Sequence, residues 1–163
     1  MKKVDAIEKK IYTLAELLKV VATWKNLNKT IAFTNGCFDI LHEGHIFSLA
    51  QAAKEADYLI VGINSDNSIK KLKGANRPVN NEHSRSLLIA NLVMVDAVII
   101  FEEDTPQHLI TSILPDVLVK GGDYTIEQIV GANEVIANGG RVVINAIVQG
   151  YSTTNTIEKI KNL

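Results

Sequence analysis

The stretch Thr34-Asn35-Gly36-Cys37-Phe38-Asp39-Ile40-Leu41-His42-Glu43-Gly44-His45 decides how this chain of 163 residues is organised. A short apolar run, Thr30 to Phe33, precedes it, and a helical pattern from Ile46 to Glu55 follows it. The stretch is therefore predicted to be the loop between a buried strand and the next helix. Backbone N–H groups at a helix start carry partial positive charge, and two imidazoles three residues apart lie at that end. The arrangement suits a polyphosphate.

Composition limits the class of protein. Apolar residues make up 47% and charged residues 21% of the chain, as in ordinary globular domains, and the length predicts one domain. The net charge of −1 argues against a nucleic-acid binder. The single cysteine fits a reducing compartment. Neither a signal peptide nor an apolar run of about 20 residues is visible, so we expect a cytoplasmic protein without a membrane segment.

Strand and helix patterns alternate along the chain. They predict an α/β fold, a Rossmann-like open parallel sheet of about five strands with helices on both faces. Residues 1–28 are predicted to be a helical segment that packs on a domain of residues 29–163. The helix in this segment is predicted to begin at a capping box formed by Thr13. The predicted strands are residues 30–34, 57–63, 97–101, 117–119 and Arg141 to Ile147. The predicted helices lie near residues 44–55, 66–71, from Asn81, from Thr105-Pro106 to 113, 129–138 and 152–162.

Four polar segments follow predicted strands. They are Asn35 to His45, Asn64 to Asp66, Lys120 to Asp123 and Tyr151 to Thr154. Ligands of parallel sheets bind beyond the carboxyl ends of the strands, at the point where the strand order reverses. The sequence therefore predicts one site built from all four segments.

These motifs resemble a known family. His42-Glu43-Gly44-His45 is similar to the His-x-Gly-His signature of the nucleotidylyltransferase superfamily, in its cytidylyltransferase-like branch. Further segments resemble the heptose-1-phosphate adenylyltransferase family, most specifically Lys120-Gly121-Gly122-Asp123-Tyr124 and Ser152-Thr153-Thr154. The likeness also includes Asn64-Ser65-Asp66, Lys73-Gly74, Arg77-Pro78, Val95-Asp96, Glu103 to Pro106 and Pro115 to Val119. That family carries the domain either alone or behind a sugar kinase. Since 163 residues are too few to include the kinase, we expect the stand-alone form here.

The resemblance implies a reaction and a set of roles. AMP would pass from ATP to a heptose 1-phosphate, giving ADP-heptose and pyrophosphate for the lipopolysaccharide inner core. Catalytic roles are expected of His42, His45, Lys73 and Lys120. Nucleotide binding is expected of Thr34, Asn35, Gly36, Cys37, Phe38, Gly44, Gly121, Gly122, Asp123, Ser152, Thr153 and Thr154. Substrate binding is expected of Asp39, Asn64, Asp66, Arg77 and Arg85.

Several of these positions have simpler interpretations. Asp39 is a candidate to hold the loop, to fix a histidine tautomer, or to be a plain turn residue. Lys73, Arg77 and Arg85 are also compatible with surface charge, and the two histidines with a buried structural pair. A zinc site is disfavoured, because two histidines three apart without a second cluster are poor zinc spacing. Many relatives have an arginine where this chain has Ile157. Lys159 and Lys161 are candidates to supply the missing positive charge in this chain.

Cofactor, partners and alternatives complete the expectations. Mg2+ is expected to arrive with ATP, without a dedicated metal site in the protein. The partners are small-molecule substrates, neither nucleic acid nor membrane, and a homodimer is implied by the family. A cytidylyltransferase acting on a polyol phosphate such as glycerol 3-phosphate is one alternative. A nucleotide-binding module without turnover is the other.

Overall fold

A computed structural model of the protein describes residues 6–146 and 150–163. Five parallel strands form one sheet in the order β3-β2-β1-β4-β5, which confirms the predicted fold class. The strands are β1 (Ile31–Gly36), β2 (Tyr58–Asn64), β3 (Ala97–Phe101), β4 (Val117–Gly121) and β5 (Arg141–Asn145). The helices are α1 (Leu14–Asn26), α2 (Glu43–Ala53), α3 (Asp66–Lys73), α4 (Glu82–Ala90), α5 (Gln107–Ile113), α6 (Ala132–Ala137) and α7 (Thr153–Lys161). Short 3-10 turns occur at Glu8–Lys10 and Ile126–Gln128.

Both faces of the sheet are buried, as the continuous apolar runs of the strands require. On one face, Ile31 and Phe33 pack with side chains of α1, α5 and α6. On the other face, Ala32 packs with side chains of α2 and α4. Successive residues of β1 thus point to opposite cores. Helices cover the sheet on two sides, and only its edges and strand ends are left for ligands.

The strand order reverses at β1. Both β2 and β4 pair with β1, and the chain reaches β4 only after completing β3 on the far side. The crevice between the carboxyl ends of β1 and β4 is therefore the topological switch point. The loop that follows β1 begins at this crevice.

Aspartates fix the starts of the strands at the opposite end of the sheet. Asp116, just before β4, accepts a hydrogen bond from the Ile31 N–H of β1 at 2.8 Å. Asp96, just before β3, accepts one from the Leu59 N–H of β2 at 2.8 Å. Each carboxylate satisfies a main-chain donor of the neighbouring strand, which helps to set the register between them.

Some predicted boundaries differ from the structure. Thr105 is not the N-cap of α5; Pro106 occupies that position and Gln107 is the first helical residue. The helix predicted over 129–138 is shorter, because Gly131 has a positive φ of 83° and α6 starts only after it. A Cβ at Gly131 would lie 2.6 Å from Ile110 Cγ2, so α5 packs directly on this backbone. Strand β5 ends at Asn145, and Ile147 lies outside the described residues.

Helix starts were predicted more accurately. Thr13 forms the predicted capping box with Glu16, and Asn81 caps α4 by accepting a hydrogen bond from the Ser84 N–H.

None of the helices in residues 6–146 and 150–163 combines the length and apolarity that a membrane crossing requires.

We expect Asp116→Ala to lower the free energy of unfolding by about 1–3 kcal/mol, since it leaves the Ile31 N–H without its acceptor. Urea unfolding followed by circular dichroism measures the loss. Asp104→Ala is the matched control, because within the described part of the chain Asp104 forms only an exposed ion pair with Lys71, and the substitution should change stability by less than about 0.5 kcal/mol. Equal effects of the two substitutions would contradict the role of Asp116.

Candidate active site

The first turn of α2 holds two histidines side by side. His42 is the N-cap of α2, and the His45 N–H donates to the His42 carbonyl at 2.9 Å. The two imidazole rings stack with centroids 3.8 Å apart and an interplanar angle of 18°. The edge of Phe38 packs against His45 at 5.3 Å. Both rings therefore lie at the amino-terminal end of a helix of 11 residues, where anions are favoured.

Both histidines are held in the neutral form. Burial lowers the pKa of His42. Burial, then the charges of His42 and Lys73, lower the pKa of His45 to about 4, although the Ile40 backbone acts in the opposite direction. Among the described residues, neither Nδ1 atom has a hydrogen-bond partner. Two buried ring nitrogens without partners are unusual in a folded protein and indicate a site for a ligand.

The start of α7 lies opposite the histidines. Ser152 is the N-cap of α7, and its hydroxyl accepts from the Asn155 N–H at 3.4 Å. The Thr153 hydroxyl donates to the Ile40 carbonyl at 3.3 Å, which ties α7 to the loop after β1. Two helix starts thus face one cleft of about 320 Å³, called here the histidine cleft. Its lining comprises His42, Gly44, His45, Ser48, Lys73, Gly121, Ala146, Tyr151, Ser152, Thr153 and Thr154.

A second cleft of about 230 Å³ continues from the first along the switch point. We call it the strand-end cleft. It is lined by Thr34, Asn35, Gly36, Cys37, Phe38, His45, Ser48, Leu49, Lys120, Gly121 and Tyr124. His45, Ser48 and Gly121 line both clefts, so His45 stands where they meet. An elongated ligand lying across His45 would contact loops after β1, β4 and β5.

The absence of a side chain at Gly36 and at Gly44 makes room for neighbouring aromatic side chains of the protein itself. A Cβ at Gly36 would lie 3.0 Å from the Phe38 ring, and Phe38 itself has a positive φ of 47°. A Cβ at Gly44 would lie 3.2 Å from the His42 ring and from Tyr151 Cβ. These tight contacts, together with the left-handed Phe38 backbone, restrict the conformations that the loop can adopt.

Asp39 fixes the loop after β1 to the segment before α4. Its carboxylate is 1% exposed and accepts from Arg77 Nε at 2.6 Å and from the N–H groups of Val79 and Asn80 at 2.7 and 3.0 Å. The Asn80 amide donates back to the Asp39 carbonyl at 2.6 Å. Of the three interpretations of Asp39, the structure shows the one in which it holds the loop.

Arg85 is fully buried and makes a second connection between the loop after β1 and the segment before α4. It donates to the Asn80 carbonyl at 3.0 Å, to the Cys37 carbonyl at 2.7 Å and to Asp66 Oδ1 at 2.8 Å. With an exposure of 0% it is not a surface charge. Its guanidinium faces protein acceptors on all three nitrogens, and a role at the acceptor phosphate stays a prediction.

The remaining predicted residues lie at or beside the clefts. Asn64 is buried under the strand-end cleft, donating to the Ser68 hydroxyl at 3.1 Å and facing Cys37 Sγ at 3.8 Å. Gly122 is buried, and Asp123 is exposed; neither lines either of the two clefts. Ile157 lines a separate groove with Arg77, Lys161, Asn76, Val79, Thr154 and Glu158.

Five lining residues were not among the predicted site residues, namely Ser48, Leu49, Tyr124, Ala146 and Tyr151, although Tyr151 belongs to a segment predicted to build the site. Ser48 lies one helical turn after His45, so the helical period of α2 could have placed it on the same face. Tyr151 directly precedes the N-cap of α7, and its hydroxyl donates to Glu43. Tyr124 belongs to the family motif Lys120 to Tyr124, and its position against Lys120 depends on the turn after β4.

The donors in the clefts fit an anion better than a protein-bound metal. Hydroxyl groups, N–H groups, imidazoles and lysines dominate the two linings. Within residues 6–146 and 150–163, no group of three or more His, Cys, Asp or Glu side chains could hold a metal ion. A Mg2+ ion would therefore fit here only with most of its ligands supplied by a bound polyphosphate.

Comparison with known proteins is consistent with this geometry. The sequence profile of the cytidylyltransferase-like family matches residues 33–159. The chain is 56% identical to the bifunctional protein HldE of Haemophilus influenzae strain PittGG over 94% of its length, and 53% identical to that of Mesorhizobium japonicum over 88%. It spans only 32% and 29% of those two relatives, or about a third of their length.

Solved structures show the same fold. The lipopolysaccharide core biosynthesis protein from Thermoplasma volcanium is 28% identical, with a TM-score of 0.61 over 76% of this chain and 99% of that one. Pantoate-beta-alanine ligase from Francisella tularensis, solved with an ATP analogue and beta-alanine, has a TM-score of 0.62 at 15% identity. That match covers 94% of this chain and 72% of the ligase, and it supports the fold alone.

We expect the His45 ring to stay neutral until the pH falls to about 4, because burial disfavours its charged form. Titration of the imidazole nitrogens by NMR measures this. Lys73→Met should raise the pKa of His45, because the Lys73 charge is one cause of its depression, while Lys71→Met should leave it unchanged. A titration near the ordinary value of about 6.5 would contradict the burial of His45.

The same shift sets the sign of a pH effect on stability. The pKa of His45 is lower in the folded chain, so the unfolded chain binds this proton more readily between the two values. We expect the His45 contribution to oppose folding increasingly as the pH falls from about 6.5 towards 4. Comparing the unfolding free energies of the wild type and His45→Asn across this range isolates the contribution.

Proposed function

Because the chain belongs to the cytidylyltransferase-like family, we propose that it transfers AMP from ATP to a heptose 1-phosphate, giving ADP-heptose and pyrophosphate. The observation that carries the proposal is the stacked pair His42 and His45, lying between two helix starts in a cleft with Lys73. The similarity to HldE and to a lipopolysaccharide core biosynthesis protein supports the sugar substrate and its use in lipopolysaccharide synthesis.

The proposed step is a direct displacement at phosphorus. An oxygen of the sugar 1-phosphate attacks the α-phosphorus of ATP, a new P–O bond forms, and the bond from the α-phosphorus to the bridging oxygen of pyrophosphate breaks. The electron pair leaves with pyrophosphate, so neither a protein nucleophile nor an external proton donor is required. Catalysis then consists of positioning two anions and stabilising the charge that develops between them.

The histidine cleft is suited to the triphosphate. The N–H groups at the starts of α2 and α7, with the hydroxyls of Ser152, Thr153 and Thr154, offer donors to the β- and γ-phosphates. Neutral imidazoles at His42 and His45 each donate one hydrogen bond, and Lys73 supplies a cation. Binding of the anion would raise the pKa of both histidines and strengthen these contacts.

We place Mg2+ with the nucleotide. The ion neutralises triphosphate charge and orients the leaving group when bound. Since the described part of the chain offers no acidic cluster for it, the phosphate oxygens and water would be its main ligands. The work of this chain's own residues is to bind and orient the phosphates.

The setting follows from the substrates. ATP and sugar phosphates are intracellular metabolites, and we propose a cytoplasmic enzyme. A homodimer, implied by the family resemblance, would cover apolar side chains such as Ile136 of α6 and Ile144 of β5, which are exposed in the single chain. Sedimentation velocity tests the dimer independently of activity.

We expect His45→Asn to reduce kcat by about 100- to 1000-fold with little loss of stability, since the imidazole donor to the developing charge is replaced by a shorter amide. The assay measures pyrophosphate release under saturating substrates, and melting temperature reports folding. His83→Asn is the matched control, because His83 is an exposed histidine on α4 and should leave kcat unchanged. Full activity of His45→Asn would remove the proposed mechanism.

A panel of substrates tests the identity of the reaction. We expect pyrophosphate release with ATP and heptose 1-phosphate, and little with CTP or with glycerol 3-phosphate. The match to the cytidylyltransferase-like profile favours CTP as the nucleotide of the alternative reaction, transfer of CMP to a polyol phosphate, and turnover only with CTP and glycerol 3-phosphate would support that alternative. Nucleotide binding without turnover for every pair would instead indicate a non-catalytic binding module.

A further inference from the structure

Lys120 lies at the switch point of the sheet, on the side of β4 that faces α5 and α6. It is the last residue but one of β4 and lines the strand-end cleft. It also lines an adjoining pocket of about 120 Å³, called here the lysine pocket. The lysine pocket is formed by Asn35, Pro106, Leu118, Lys120, Tyr124, Gln128, Ile129 and Val130. Asn35, Lys120 and Tyr124 line both spaces, so one opens into the other.

Among the described residues, the Lys120 ammonium has no acidic partner. Within residues 6–146 and 150–163, it makes neither a hydrogen bond nor an ion pair. Its Nζ lies over the Tyr124 ring, 5.6 Å from the centroid. Burial lowers the pKa of Lys120, with the Cys37 thiol acting in the opposite direction. A half-buried cation without a counter-charge is costly to the folded chain, and an anionic ligand would offset that cost.

The two arginines near the site are already paired with carboxylates. Arg77 is paired with Asp39 at 2.6 Å, and Arg85 with Asp66 at 2.8 Å. Lys73 lines the histidine cleft, at the far side of His45 from Lys120. Lys120 is therefore the cation that the strand-end cleft presents to a ligand.

The proposed reaction needs a second anion site on the side of His45 where the strand-end cleft lies. In an in-line displacement, the attacking oxygen approaches the α-phosphorus from the side opposite the leaving pyrophosphate. If the β- and γ-phosphates occupy the histidine cleft, the attacking phosphate approaches from the other side of His45. The strand-end cleft, with Lys120 in its lining, lies on that side.

We propose that Lys120 binds the phosphate of the acceptor sugar and that the lysine pocket, with Asn35 and Tyr124 at its entrance, takes the sugar itself. This assignment rests on the proposed function and gives Lys120 to the acceptor rather than to ATP. The Tyr124 ring, 44% exposed, offers an apolar face to a pyranose ring. The Asn35 and Gln128 amides offer donors and acceptors to its hydroxyls.

The test separates acceptor binding from nucleotide binding. Lys120→Met keeps most of the side-chain volume and removes the charge, and we expect it to raise KM for heptose 1-phosphate by about 10- to 100-fold. The Kd for α,β-methylene-ATP, which cannot be cleaved at the reacting bond, should stay within about twofold. Lys71→Met is the matched control, because Lys71 is exposed on α3 and should change neither constant.

Calorimetry without nucleotide gives a second readout. Heptose 1-phosphate should bind the wild type more tightly than Lys120→Met, and unphosphorylated heptose should not distinguish them. A parallel loss of affinity for α,β-methylene-ATP would place Lys120 in the nucleotide site and overturn the proposal, as would unchanged constants for both ligands. If Lys120→Met does not fold, Lys120→Gln takes its place, with melting temperature as the check.

The outcomes also distinguish this proposal from the proposed function. If the wild type releases no pyrophosphate with any substrate pair, the proposed function fails. The calorimetric comparison of heptose 1-phosphate with unphosphorylated heptose then still decides whether Lys120 holds a sugar phosphate. If the wild type turns over and Lys120→Met shows no selective rise in acceptor KM, only the assignment of Lys120 fails.

Discussion

The buried carboxylate of Asp39 is the contact on which the rest of the site depends. It is surrounded by donors from Arg77, Val79 and Asn80, and a buried carboxylate in such a setting must keep its partners or lose stability. Because Asp39 belongs to the loop after β1, the same contacts fix the loop that presents His42 and His45. The neighbouring Arg85 fastens the Cys37 carbonyl to the segment before α4. The ligand-facing side of the loop can therefore present donors without using them to hold itself in place.

The division of charge in the site follows from burial. His42 and His45 are uncharged at neutral pH, so they can stack at 3.8 Å without mutual repulsion. The positive charge lies on Lys73 and Lys120, which line different clefts on either side of His45. Two anions that repel each other can thus be held by separate cations, with neutral donors between them. The helix starts of α2 and α7 add positive potential without adding a titratable charge.

The sequence predicted the fold and most of the lining, and its failures have physical causes. Apolar runs and caps such as Thr13 and Asn81 are local signals, so the strands and most helix starts followed from them. The positions of Arg77 and Arg85 are set by contacts with Asp39 and Asp66, which lie 38 and 19 residues away along the chain. No local pattern distinguishes a buried arginine from a surface one. The short α6 has the same cause, since the close packing of Gly131 on Ile110 is a tertiary contact.

The pairing of Asp39 with main-chain donors has a consequence for how the sequence can vary. Two of its partners are the N–H groups of Val79 and Asn80, which every residue except proline possesses. The exposed side chain at position 79 can therefore be exchanged for many others without loosening the loop, whereas few residue types could replace Asp39. A deep mutational scan of this protein would then show strong intolerance at position 39 beside broad tolerance at position 79, with proline as the exception.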